Sequence, residues 1–122
     1  MERIEEFNCE GKDFISIDLS GLKSPEDFTN QLDLIKPVIS KYPRLSLYTI
    51  TNIADTRFNS TTREVVLDYL IHNKPYVKCS VVIGVDGVKK MMIDTMAKLS
   101  GRNNVLCAFT KEKAIERALH QG

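Results

Sequence analysis

Cysteine and histidine are scarce in this chain of 122 residues, and neither is arranged for chemistry. Cys9, Cys79 and Cys107 are odd in number, far apart and without a CxxC pair, which argues against a disulfide framework or a zinc knuckle. Ordinary reduced thiols are expected, two of them in strands. His72 and His120 are the only histidines, and neither has a candidate nucleophile or a second metal ligand beside it in sequence. A nucleophile elbow and an HExxH pattern are also missing. Nothing positive supports catalysis, and the sequence assigns no catalytic residue, no metal and no cofactor.

No run of about 18 apolar residues occurs, so no transmembrane segment is expected. The opening "MERIEEFNCEGKD" lacks the basic-then-apolar pattern of a secretory signal, which makes a cytoplasmic location the default expectation. A large net charge of either sign is missing too: the balance is +1, which argues against bulk nucleic-acid binding. The charges are uneven, with acids outnumbering bases over residues 1–36 and bases outnumbering acids over residues 74–104.

What the chain does contain is 43% hydrophobic and 27% charged residues, a globular balance, at a length that fits one domain over residues 1–122. Hydrophobic periodicity alternates between strand and helix, the pattern of an α/β domain with a largely parallel sheet. Ile4 to Asn8 reads as a short edge strand and Asp13 to Asp18 as a stronger one. Ser24, Pro25, Glu26 and Asp27 form a helix start: a cap, a first-turn proline and two acids facing the helix dipole. Phe28, Leu32, Ile35, Ile39 and Tyr42 make its buried stripe, and Pro37 predicts a kink or break near Leu34 to Lys36.

Leu45 to Asn52 alternates as a strand, and Asn59 or Ser60 caps a second helix burying Val65, Val66, Tyr69 and Leu70. Lys74, before Pro75, should not remain helical. Tyr76 to Gly84 is a nearly unbroken apolar run, suited to an inner strand covered on both faces. Val88, Met91, Met92, Thr95, Met96 and Leu99 then recur at helical spacing and read as core, ending at Ser100 and a capping Gly101. "NVLCAF" is the last strand, and Thr110 caps a final helix that buries Ala114, Ile115, Ala118 and Leu119.

Two segments could carry function. "GVDGVKK" feeds a strand into a helix N-terminus, where open α/β sheets bind anions. Gly84, Asp86, Gly87, Lys89 and Lys90 are its candidates, with the amides of Gly87, Val88 and Lys89 free to meet a nucleotide or another small anionic ligand. The segment lacks the glycine content of either standard phosphate-binding loop, so a plain turn is the competing reading. "DTRFNSTTRE" is the second segment, with Asp55, Arg57, Asn59, Ser60, Thr61 and Arg63 as candidates. Its hydroxyls suit a helix cap, and they equally suit a phosphorylation switch in which Arg57 or Arg63 reaches a phosphate on Ser60 and a protein partner reads the change. A homodimeric scaffold is compatible with either role.

"NKPYVKCSVVIGVDGVKKMMIDTMAKLSGRN", with "FTKEKAIERAL" after it and "IDLSGL" near the start, resembles the small single-domain proteins grouped as STAS/SEC14-like, related in fold to the anti-sigma-factor antagonists. The resemblance runs from about Phe14 to Leu119. It implies a SpoIIAA-like β-α superhelix: a four- or five-stranded mixed, mostly parallel sheet with about four helices. It implies a binding or regulatory module rather than an enzyme, and the SEC14-like part implies a lipid pocket. In the antagonists a phosphorylatable serine opens the helix after a central strand, and Ser60, in Asn59-Ser60-Thr61-Thr62, stands closest to that position.

Overall fold

The computed structural model describes residues 3–120, so the expected domain limits at residues 1 and 122 lie outside the described residues. In chain order the elements are β1 (Ile4–Cys9), β2 (Lys12–Asp18), α1 (Pro25–Ile39), β3 (Leu47–Asn52), α2 (Ser60–Asn73), β4 (Val77–Ile83), α3 (Gly87–Leu99), β5 (Val105–Cys107) and α4 (Lys111–Leu119). The five strands form one sheet in the order β1-β2-β3-β4-β5. β1 is antiparallel to β2, pairing Phe7 with Phe14, and every later pair is parallel. The fold is therefore α/β with a mixed, mostly parallel sheet of five strands and four helices.

Side-chain alternation along the strands divides the core in two. Ile15, Ile17, Leu47, Val77 and Val82 pack with Phe28, Leu32 and Ile35 of α1, Val66 and Tyr69 of α2, and Ile93 and Met96 of α3. Phe14, Tyr48, Ile50, Cys79 and Val81 face the opposite way, onto Ala114 and Ala118 of α4. Two alanines let α4 approach the sheet closely. On that face Phe7, Phe14 and Tyr48 stack across three strands with successive ring centroids 5.2 Å apart, a cross-strand ladder that fixes register. All three cysteines lie in strands rather than the expected two, and Cys79 is buried.

The helix start at Ser24 follows the sequence: Ser24 Oγ accepts from the Asp27 amide at 3.1 Å, with Pro25 in the first turn. Pro37 does not divide α1, which runs on to Ile39. The proline falls in the last turn, where it removes the donor only from the Asp33 carbonyl, and the helix stops two residues later anyway. Tyr42 lies beyond this helix, and its hydroxyl donates to Glu6 Oε1 at 2.5 Å. β3 begins at Leu47 rather than Leu45 because Leu45 adopts φ 52, outside the extended region. α2 does end before Pro75, yet Lys74 keeps right-handed helical dihedrals of −50° and −43° as its C-cap.

α3 departs most from expectation. Val88, Met91 and Leu99 are 76%, 72% and 68% exposed, while Ile93, Met96 and Ala97 are buried. The buried face is turned by roughly one residue, about 100°, from the methionine stripe, and only Met92 and Met96 belong to both. Two apolar stripes overlap on this helix. α3 is the last of the row α1-α2-α3, so only the flank toward α2 and the sheet is covered. Ile93→Ala should accordingly cost about 2–5 kcal/mol in chemical denaturation, whereas Met91→Ser should change stability by less than about 0.5 kcal/mol; comparable losses would mean that the helix is turned the other way.

Candidate functional site

The carboxyl ends of β2, β3 and β4 release three loops, and backbone hydrogen bonds lace them together. The loop after β3 is in the middle. Ala54 O accepts from the Gly21 amide at 2.9 Å, the Arg57 amide donates to Leu22 O at 3.1 Å, and the Ile53 amide donates to Ile83 O at 3.0 Å. Lys23 Nζ donates to Asp55 O at 2.6 Å, holding a residue with φ 56. Phe58 anchors the loop on α1, edge-on to Phe28 with centroids 5.2 Å apart.

Both candidate segments therefore meet on one surface. Their junction is Gly84, which has φ +76 and where an added Cβ would stand 2.6 Å from the Ala54 nitrogen and from Asn52 Oδ1. A glycine is required here by backbone conformation and by the approach of the neighbouring loop. This accounts for Gly84 without any ligand.

The helix start after the middle loop is capped by Asn59 and not by Ser60. Asn59 Oδ1 accepts from the Thr62 amide at 2.9 Å and from Thr62 Oγ1 at 3.1 Å, and Thr62 is buried. Ser60 and Thr61 are exposed, and neither hydroxyl bonds to a described residue. No acidic residue occupies the first turn of α2. Arg57 and Arg63 are exposed on either side, Arg63 with its Nε 3.2 Å from Met92 Sδ of α3.

The turn from β4 to α3 is less open than its sequence implied. Asp86 caps α3 by accepting from the Lys89 amide at 2.9 Å, so that amide is already engaged and a carboxylate stands where an anion would bind. The two lysines also separate. Lys89 Nζ reaches back to Ile53 O at 3.4 Å, while Lys90 pairs with Asp94 at 2.9 Å toward the β5 side. Their charges do not converge on one ligand.

Sequence reasoning missed a polar group inside the larger core. Arg102 is 4% exposed, and among the described residues no carboxylate pairs with it. Its guanidinium donates to Asn104 Oδ1 at 2.7 Å, Ser80 Oγ at 3.0 Å and Leu70 O at 3.4 Å. Ser80 Oγ also meets Thr49 Oγ1 at 2.8 Å. Nearby, the Tyr69 hydroxyl is buried with no hydrogen-bond partner among the described residues, an arrangement that costs roughly 1–3 kcal/mol. Burial pushes its pKa up to about 12; Asn73 and the Arg102 cation oppose that shift, although Asn73 does not reach hydrogen-bond geometry. The only sequence signal was Thr49 and Ser80 interrupting two apolar strands.

Among the described residues no helix is long and apolar enough to cross a membrane, and no group of three or more His, Cys, Asp or Glu is placed to hold a metal ion. No protein-family model matches this chain, and no curated protein matches it. Among solved structures it is similar to an uncharacterized protein of the DUF3478 family with a SpoIIAA-like fold, from Shewanella loihica PV-4. The TM-score is 0.71 at 10% identity, over 94% of this chain and 91% of that one. The fold is SpoIIAA-like. At that identity the SpoIIAA-like relation concerns architecture, and function must be argued from the site.

Two measurements test this geometry. Gly84→Ala should cost about 2–4 kcal/mol in chemical denaturation, against a near-neutral Gly87→Ala, whose added Cβ would meet nothing within 4 Å. Tyr42 and Tyr69 are both pushed up to about 12, chiefly by burial. Their neutral forms thus favour the folded state, a contribution complete below about pH 10 and lost as pH rises through about 12. Ultraviolet titration should show late-ionising tyrosines in native protein, one removed by Tyr42→Phe and one by Tyr69→Phe; ionisation of both near pH 10 would contradict this.

Proposed function

We propose that the chain is a regulatory protein-interaction module, with the surface around Asp55 to Arg63 as its contact face and phosphorylation of Ser60 as its switch. The observation that carries this reading is the state of Ser60. Its hydroxyl is exposed at the first position of α2, relieved of capping by Asn59, with no carboxylate in the first turn and exposed arginines at positions 57 and 63. A phosphate there would gain about 0.3–1 kcal/mol from the helix dipole, and charge-assisted hydrogen bonds from either arginine would add to it. The resemblance to phosphoregulated antagonists points the same way.

Exposed Val88 and Met91 on the neighbouring helix α3 supply apolar area that a partner could cover. Asp55 presents an acid at the tip of the same loop. Anion capture by residues 84–90 is the weaker alternative, since Asp86 occupies the helix end and Lys90 turns away.

The test is affinity capture from lysate of the native host, comparing wild-type, Ser60→Ala and Ser60→Asp protein by quantitative mass spectrometry, with Glu10→Gln on the β1–β2 turn as a distant control. At least one partner should change about tenfold in recovery between the alanine and aspartate forms, and phosphate should be found on Ser60 of the endogenous protein. Identical partner sets for all four proteins, with Ser60 unmodified, would defeat the proposal.

A further inference from the structure

The space between the sheet and α1, α2 and α3 includes a cavity of about 50 Å³ bordered by Thr49, Tyr69, Asn73, Ser80 and aliphatic side chains that include Val82 and Ile93. Its polar wall offers the hydroxyl donors of Thr49, Tyr69 and Ser80 and one side-chain amide acceptor, Asn73 Oδ1, which already meets His72 Nδ1 at 2.9 Å. Among the described residues the Tyr69 hydroxyl has no hydrogen-bond partner. Thr49 and Ser80 share one hydrogen bond between two hydroxyls, and Ser80 Oγ also receives Arg102 Nη2, so whichever hydroxyl donates, the other keeps a proton for which the structure shows no acceptor. Behind Ser80 stands the Arg102 cation, buried and without a carboxylate among the described residues.

Buried charges are normally paired, and buried donors normally find acceptors. Water would fill the space poorly. A water molecule brings two hydrogens of its own, and most of the remaining wall is aliphatic. A carboxylate brings only acceptors and a negative charge. We propose that this cavity binds a monocarboxylate no larger than acetate, with its oxygens on Tyr69 and the Thr49–Ser80 pair, its charge balanced by Arg102, and its methyl group against Val82 and Ile93. The site is separate from the Ser60 surface and does not depend on the reading given there.

A surface recess on the outer side of Arg102, lined also by Arg44 and Lys74, is the competing anion position. The experiment separates the two. Purified protein is titrated with sodium acetate and with butanoate, which exceeds the cavity, against sodium chloride at equal ionic strength and against butan-1-ol, with melting temperature and methyl NMR spectra as readouts. Acetate should raise the melting temperature saturably and move the Val82 and Ile93 methyl signals, while butanoate, chloride and the alcohol should not. Tyr69→Phe and Ser80→Ala should each weaken binding about tenfold. Tyr69→Phe breaks no hydrogen bond of the unliganded protein, so its folding is not at risk.

Three outcomes would overturn the proposal. One is loss of binding in Arg44→Ala or Lys74→Ala with Tyr69→Phe unaffected, which places the anion in the outer recess. Another is an equal response to butan-1-ol, which means apolar filling alone. The last is no saturable response to acetate, which leaves the cavity to ordered water.

Discussion

Strands β2 to β5 lie side by side in the order in which the chain makes them, and each parallel step needs a crossover of one preferred hand. The consequence is that α1, α2 and α3 share one face of the sheet, and the final helix must cover the other alone. Most of the remaining structure depends on that constraint. It buries the inner strands on both faces, which is why β4 is an almost continuous apolar run. It also brings the loops after β2, β3 and β4 to one end of the sheet, where their backbones bond to each other. Gly84 is the tightest point of that junction, and a side chain there would separate loops that the surface needs in contact.

The same arrangement gives the helix N-termini different roles. α1 begins with Glu26 and Asp27, and α3 is capped by Asp86, so both already face a carboxylate. α2 is capped by the neutral Asn59 and has no acid in its first turn. Its positive end is thus uncompensated beside an exposed serine and two exposed arginines. In the interior the balance is reversed, since among the described residues the Arg102 charge has no anion and the Tyr69 hydroxyl no acceptor to match them. Both features are electrostatically incomplete in the same sense: each offers positive charge or donors and lacks the negative group that would satisfy it.

Local chemistry made much of the fold legible. Ser24 and Pro25 specify a helix start through a few neighbouring atoms. Gly101, at φ +74, closes α3 with the Gly101 amide on Lys98 O at 3.1 Å and the Arg102 amide on Ala97 O at 2.8 Å. The failures concern relations that neighbours in sequence do not carry. Which stripe of α3 is buried depends on where α2 lies, because Val88, Met91 and Leu99 satisfy the helical period as well as Ile93, Met96 and Ala97 do. Pro37 does not break the helix because it stands two residues from the helix end, a nearness that the proline cannot announce. The candidate surface was legible as two separate segments, but their union through Gly84 and the divergence of Lys89 from Lys90 were not. The interior group was invisible, since Thr49, Tyr69, Ser80 and Arg102 come from four separate segments and resemble ordinary members of each.

The central claim is that Ser60 is poised for a phosphate that its own surroundings would order. Its most direct test is to install phosphoserine at position 60 by genetic encoding and compare amide and arginine side-chain NMR spectra with those of unmodified protein. The account predicts large shifts for the amides at the start of α2 and slowed motion of the Arg57 or Arg63 guanidinium, with the rest of the sheet unchanged. Perturbations confined to residue 60 itself, with both guanidinium groups as mobile as before, would contradict it.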